Sequence, residues 1–265
     1  MKKTARSARW FLGLSAALLL AGSASAADVK VMISAGYYHV YEQLAPKFEK
    51  ATGNHLVTVR GPSMGDSPEA IPTRLARGEA ADVVIMDGAT AEELGTKGLV
   101  RPESKRDLAL SQIGMVVHAG APKPKINTVD ALRKTLLAAK SIAYSDSGSG
   151  TYISTKMYAK LGIADQVAGK SRKVRGPPSG EPVAAVIARN EAEVGFQQMS
   201  ELMHVKGVDL VGPIPASLQP GFSFAGVIAK SSEQPEAAAA LIKFLASAKS
   251  APVVKKMGLT PVPAK

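Results

Sequence analysis

The chain has 265 residues, a formal net charge of +11 from 33 lysines and arginines against 22 aspartates and glutamates, and no cysteine. That length suits one large domain or two small ones, and without disulfides it relies on an ordinary apolar core. The basic residues are scattered and rarely interleaved with aromatics, which excludes a nucleic-acid-binding stripe.

Lys2, Lys3, Arg6 and Arg9 precede an apolar run from Trp10 to Gly22 and the small residues Ala24-Ser25-Ala26. This pattern predicts a secretory signal peptide over residues 1–26, cleaved after Ala26, and export to a periplasm. The run is shorter than the roughly 20 residues a membrane span needs, and no later segment is apolar enough to be one. Removing the four basic residues of the signal lowers the net charge from +11 to +7. A modest positive excess favours encounter with a small anion.

Apolar runs then alternate with helix-like segments. Residues 29–34 read as a strand, 41–52 as a helix stopped by Gly53, 56–59 as a strand and 69–77 as a helix. Residues 82–86 form a buried strand, 91–97 a helix, 113–118 a strand, 129–139 a helix and 141–144 a strand. A helix over 151–161 follows, another over 182–190, strands over 193–196 and 222–228, and an alanine-rich helix over 235–246. This alternation predicts an α/β protein with parallel sheets flanked by helices. Ligands of such sheets bind beyond the carboxyl ends of strands, so the loops to weigh are 34–39, 60–68, 145–151 and 176–181 with Gln197-Gln198.

In the second loop, Ser67-Pro68-Glu69 reads as a helix start with proline in the first turn. Its exposed amides suit an anion, and the same residues suit a plain turn. YSDSGSGTYI, from Tyr144 to Ile153, has the same two readings. Gly148 and Gly150 permit tight backbone geometry, and Ser149 or Thr151 can cap a helix from Tyr152. No G-x-S-x-G elbow or phosphate-binding loop is present. The four histidines, His39, His55, His118 and His204, have no H-E-x-x-H spacing and no cysteine partners, so neither a metal nor a cofactor is expected.

The serine-bearing loops after the first two strands, the run RLARGEAADVVIM and the later IARNEAEVGFQQMSEL resemble the periplasmic molybdate-binding (ModA-like) family of type II solute-binding proteins. The resemblance covers nearly all of the chain beyond Ala26. It implies two α/β lobes, residues 27–112 with 222–265 and residues 113–221, joined by crossing strands and closing on a ligand cleft. The family's uncharged donors correspond to Ser34, Ser63 and the loop from Asp146 through Ser147, Ser149, Gly150 and Thr151, with the backbone near Glu181 to Val183.

Two departures stand out. Ile33-Ser34-Ala35-Gly36-Tyr37-Tyr38 replaces the family's Ala-Ala-Ser, and Gln197-Gln198 stands where a tyrosine hydroxyl is common. Glutamines both donate and accept, which suits a larger polar ligand than a tetrahedral oxyanion. The segments GPSMGDSPEAIPTRLARGEAADVVIM, YSDSGSGTYI and GFQQMSEL resemble more closely the branch that contains bacterial aconitate isomerase.

That resemblance implies a cofactor-free allylic 1,3 proton shift between trans- and cis-aconitate. The alternative is a non-catalytic receptor that delivers a small polycarboxylate or oxyanion to a membrane transporter. The isomerisation needs donors for three carboxylates and an acid and base within reach. Arg60 and Arg74 are candidate carboxylate partners, and Gln197 and Gln198 are candidate substrate contacts. Asp146, Glu181, His39 and Tyr38 are the candidates for proton transfer. A monomer that binds no nucleic acid is expected.

Overall fold

The computed structural model describes residues 26–263, so the expected signal peptide lies outside the described residues except for Ala26. The first elements are β1 (Asp28–Ile33), α1 (Ala35–Thr52), β2 (His55–Arg60), α2 (Ile71–Ala76), β3 (Val83–Asp87), α3 (Gly88–Thr96) and β4 (Val100–Leu110). Next come β5 (Ile113–His118), α4 (Val129–Ala138), β6 (Ile142–Ser145), α5 (Gly148–Tyr152), a π-helical turn (Ile153–Met157), α6 (Tyr158–Lys160), α7 (Ala164–Ala168) and β7 (Ser171–Val174). Then follow α8 (Val183–Ala188), β8 (Val194–Gln198), α9 (Met199–Leu202), β9 (Val208–Pro213), β10 (Ser223–Ala229), α10 (Pro235–Leu245), α11 (Ala251–Lys256) and β11 (Thr260–Pro261).

These strands form a six-stranded sheet in the order β11-β4-β10-β3-β1-β2 and a five-stranded sheet in the order β7-β6-β8-β5-β9. The chain passes between them twice, through 111–112 and through 214–222. A hydrogen bond from the Ser111 N–H to the Phe222 carbonyl, 2.8 Å, ties the two crossings together.

Both sheets are covered on both faces, which is why their central strands read as continuous apolar runs. In β1, Val29, Val31 and Ile33 pack with α1, α10 and α11, while Met32 packs with Ile71 and Leu75 of α2 and Ala91 and Leu94 of α3. In the second sheet, Met115 and Val117 join Leu132, Leu136, Ile153 and Met157. Val116 and Ala143 face Val183, Ala184 and Ile187 of α8 on the other side.

The α/β class holds, but the sheets are mixed rather than parallel. β10 runs antiparallel to β3 and β4, and β5 antiparallel to β8 and β9. The reason is the double crossing, since a strand that enters a sheet from the other half of the molecule need not follow the direction a βαβ unit imposes.

Several boundaries also move. α1 starts at Ala35, not Tyr41, so the expected loop over 34–39 is mostly helix. Tyr37, Val40, Tyr41, Leu44 and Phe48 form its buried stripe, and Gly53 at φ 76° closes it with a bond from its N–H to the Glu49 carbonyl, as its sequence predicts. Gly36 is needed where α1 meets β10, because a Cβ there would overlap the Phe224 ring.

α2 starts at Ile71 with Pro72 in its first turn, so Pro68 lies in the preceding turns. α5 starts at Gly148 with Ser147 at the cap position, and neither Ser149 nor Thr151 caps it. Among the described residues, no single helix is long and apolar enough to cross a membrane.

Candidate functional site

Four helices begin around one pocket between the two sheets. α1 follows β1 and α3 follows β3, from parallel strands of the first sheet; α5 follows β6 and α9 follows β8, from parallel strands of the second. The pocket therefore lies beyond the carboxyl ends of strands in both sheets. The first sheet contributes Ser34, Ala35, Gly36, Gly61, Pro62, Ser63, Asp87 and Phe224. The second contributes Ser145, Asp146, Ser147, Gly148, Gly176, Pro177, Gln197, Gln198 and Glu201, and Phe222 comes from a crossing. Helix starts present unpaired N–H groups and partial positive charge, an environment made for anions.

The polar side chains divide by how far the protein already uses them. Ser34 is 4% exposed and its hydroxyl has no partner. Ser63 Oγ accepts from the Asp87 N–H at 3.0 Å, which leaves its own proton to donate. Asp87 is occupied as the cap of α3, accepting from the Thr90 N–H and hydroxyl at 2.9 and 3.1 Å. The Ser145 hydroxyl pairs with those of Ser147 and Ser149 at 2.9 and 3.0 Å. Gly150 allows α5 to fold against β6, because a Cβ there would overlap the Ser145 carbonyl.

Gln197 and Gln198, at the end of β8, are buried and committed. Gln198 Oε1 accepts from the Ser111 hydroxyl at 2.7 Å. Gln197 Oε1 accepts from the Val183 N–H at 2.9 Å, and its Nε2 donates to Glu201 Oε2 at 2.6 Å. Glu201, in α9, is 8% exposed. Burial pushes its carboxyl up to about 7, and the negative charge of Asp146 adds to this, against the opposing Arg60 guanidinium and the Gln197 hydrogen bond. Asp146 Oδ1 accepts from the Gly176 N–H at 3.1 Å.

Of the residues singled out in the sequence, Ser34, Ser63, Asp146, Ser147, Gln197 and Gln198 come together on the pocket. Ser149 and Gly150 lie buried behind it, and Thr151 is exposed. Arg60 stacks its guanidinium 4.1 Å above the Tyr38 ring and has a buried, unpartnered Nε. His39 sits beside Glu42 and packs on His204 with ring centroids 4.6 Å apart. Burial, His204 and Arg60 hold it below the usual histidine range, against Glu42.

Arg74 and Glu181 point elsewhere. Arg74 pairs with Glu79 and donates to the Glu69 carbonyl. Glu181 is gripped by Arg189 at 2.6 and 2.7 Å, which holds its carboxyl below the usual range. No motif marks Glu201 in the sequence, although the rule that points to the other loops, a polar residue just past a strand, also points to it. Among the described residues, no group of three or more histidines, cysteines, aspartates or glutamates is placed to hold a metal ion.

A model of the bacterial extracellular solute-binding protein family matches residues 29–260. The chain is 44% identical over 257 residues to an aconitate isomerase from a Pseudomonas species, covering 96% of this chain and 97% of that one. It is 28% identical over 246 residues to the molybdate-binding protein ModA of Azotobacter vinelandii, covering 91% and 92%. The solved periplasmic molybdate-binding protein of Azotobacter vinelandii has the same fold, with a TM-score of 0.69 at 22% identity over 89% of this chain and 99% of that chain. The fold is thus shared, and the chain belongs to the bacterial extracellular solute-binding protein family.

Proposed function

We propose that the protein is an exported, periplasmic isomerase that interconverts trans- and cis-aconitate by an allylic 1,3 proton shift. One observation carries this reading over an oxyanion receptor: besides Asp87, which is occupied as the cap of α3, two further carboxyl groups, Asp146 and Glu201, line the pocket among its hydroxyls and helix starts. A fully ionised oxyanion gains nothing from an acceptor and is repelled by its charge. A substrate that must lose a proton next to a carboxylate needs such a group. The 44% identity to an aconitate isomerase across almost the whole of both chains supports the same substrate.

In this reading residues 27–112 with 222–265 form one lobe and 113–221 the other. The hydroxyls of Ser34, Ser63 and Ser147 and the amides at the starts of α1 and α5 hold the substrate carboxylates. Those same donors stabilise the charge that spreads onto carboxylate oxygens when the proton leaves. Phe222 and Phe224 supply the apolar wall that keeps water from the allylic carbons.

The test is direct. Purified protein incubated with trans-aconitate yields cis-aconitate, resolved by chromatography, and no conversion at high protein concentration overturns the reading. The converging helix starts favour a second reading, a receptor that hands a small anion to a membrane transporter. A thermal-shift panel of molybdate, sulfate, citrate and the aconitates separates the two, because stabilisation by molybdate alone, with no turnover, selects the receptor.

A further inference from the structure

We infer that Glu201 is the catalytic residue that carries the proton, and that Asp146 is a positioning residue that shapes the pocket wall. The inference rests on the isomerase reading above and assigns its central step to one side chain.

The geometry separates the two carboxyls. Glu201 lines the pocket from α9 and is buried. Its Oε2 is held by Gln197 Nε2 at 2.6 Å, and the orientation of that amide is set by the Val183 N–H, which can only meet an oxygen. Glu201 Oε1 makes no hydrogen bond among the described residues and is left for the substrate. Asp146 instead spends Oδ1 on the Gly176 N–H at 3.1 Å, which draws Gly176 and Pro177 against the pocket. Of the two, only Glu201 keeps an oxygen free on the pocket beside a neutral side-chain amide partner.

The step balances without a co-reactant. The Glu201 carboxylate takes a proton from the substrate's methylene carbon, breaking that C–H bond. Its electron pair enters the allylic system and spreads onto the carboxylate oxygens. The Glu201 carboxylic acid then gives a proton to the former vinylic carbon, forming a C–H bond there, and the double bond moves by one position. Because the carbon skeleton is symmetric about its central carbon, the product is again aconitate, now free to take the other double-bond geometry.

A base that works near neutral pH must hold its proton more tightly than an ordinary carboxylate, and burial lifts Glu201 to about 7. The charged groups that act on it are Arg60, at the end of β2, and Asp146, beyond β6. α1, packed against α9, brings His39 onto His204 just past that helix.

The experiment compares wild type, Glu201→Gln and Asp146→Asn for kcat, KM and calorimetric binding of trans-aconitate, with kcat/KM followed from pH 5 to 9 and thermal melts as a folding check. Glu201→Gln is expected to lower kcat by about 100-fold or more while binding changes only a few-fold. Wild type is expected to lose activity tenfold per pH unit below the Glu201 limb. Asp146→Asn retains turnover but moves that limb to lower pH, because a negative charge that favours the protonated acid has gone.

Glu201→Gln turning over within a few-fold of wild type overturns the inference, as does Asp146→Asn abolishing turnover while substrate still binds. Should Glu201→Gln fail to fold, the limb and its displacement in Asp146→Asn decide alone, and a limb that stays in place overturns the inference. Wild type that never converts aconitate overturns the isomerase reading itself, and this assignment with it.

Discussion

Glu201 should cost the protein stability whenever it is ionised, and replacing it with glutamine should recover that loss. Its carboxyl titrates near 4.5 in the unfolded chain and near 7 in the folded protein, chiefly because of burial. Between these values the folded state binds the proton more tightly, so stability falls as pH rises through the window. Above pH 7 the loss is complete; below 4.5 both states are protonated and it vanishes. A difference of some 2.5 units at about 1.4 kcal/mol each gives a loss of about 3 kcal/mol. Glutamine keeps the shape and can still accept from Gln197 Nε2, but cannot ionise. Denaturant unfolding of wild type and Glu201→Gln at pH 4 and pH 8 should therefore show near-equal stabilities at pH 4 and a variant about 3 kcal/mol more stable at pH 8. Groups other than Glu201 cancel in the difference. Equal stabilities at both pH values, or a variant that loses ground as pH rises, would refute the argument that this carboxyl is buried without an adequate partner.

Ser34→Ala should be neutral or slightly stabilising in a thermal melt, since it removes a buried hydroxyl with no partner. It should nonetheless weaken trans-aconitate binding at least about tenfold by calorimetry, the loss of one hydrogen bond to a charged group. Gly150→Ala should destabilise by roughly 1–3 kcal/mol, read as a lower melting temperature, because its methyl meets the Ser145 carbonyl. Glu69→Gln breaks the 3.1 Å pair with Arg175, which links a loop of the first sheet to the strand end beside Gly176. Because that pair is solvent-exposed, unfolding should change little, and high salt should erase any difference from wild type.

Much of the pocket lining is legible because the pocket lies where strands end. β1, β3 and β6 are apolar runs that announce themselves, and the residues just beyond them, Ser34, Asp146 and Ser147, reach the pocket. The chain was less readable where burial is partial. β4 covers 11 residues, yet in VRPESKRDLAL only Val100, Leu108 and Ala109 are buried, so it carries no alternation to detect. β7 and β9 are edge strands with mostly part-exposed residues. The start of α1 is hidden by Gly36, an ordinary sign of a loop. It is explained only by tertiary contact, with the Phe224 ring. Arg74 and Glu181 show the reverse, since charge type and nearness to a loop suggested the site while local partners, Glu79 and Arg189, hold them elsewhere.

A solute-binding architecture has most of what a proton-shift enzyme requires before any catalytic group is added. Helix starts and hydroxyls that hold a substrate carboxylate also hold the same oxygens when they gain charge, and they cost no rearrangement at that moment. Turning such a site from binding to turnover then depends on a group that can accept a proton inside it. That group must be unpaired enough to be basic, and buried enough to titrate near neutrality. Glu201 meets both conditions through its surroundings: α9 starts directly after β8, which places the side chain inside the pocket, and a neutral glutamine rather than an arginine is its hydrogen-bond partner. Arg60 is near enough to restrain its titration without appearing as a bonded partner. A direct ion pair would have lowered the carboxyl back into the ordinary range and removed the basicity that the reaction uses. The neutral partner is therefore as much a part of the proposed chemistry as the acid it holds.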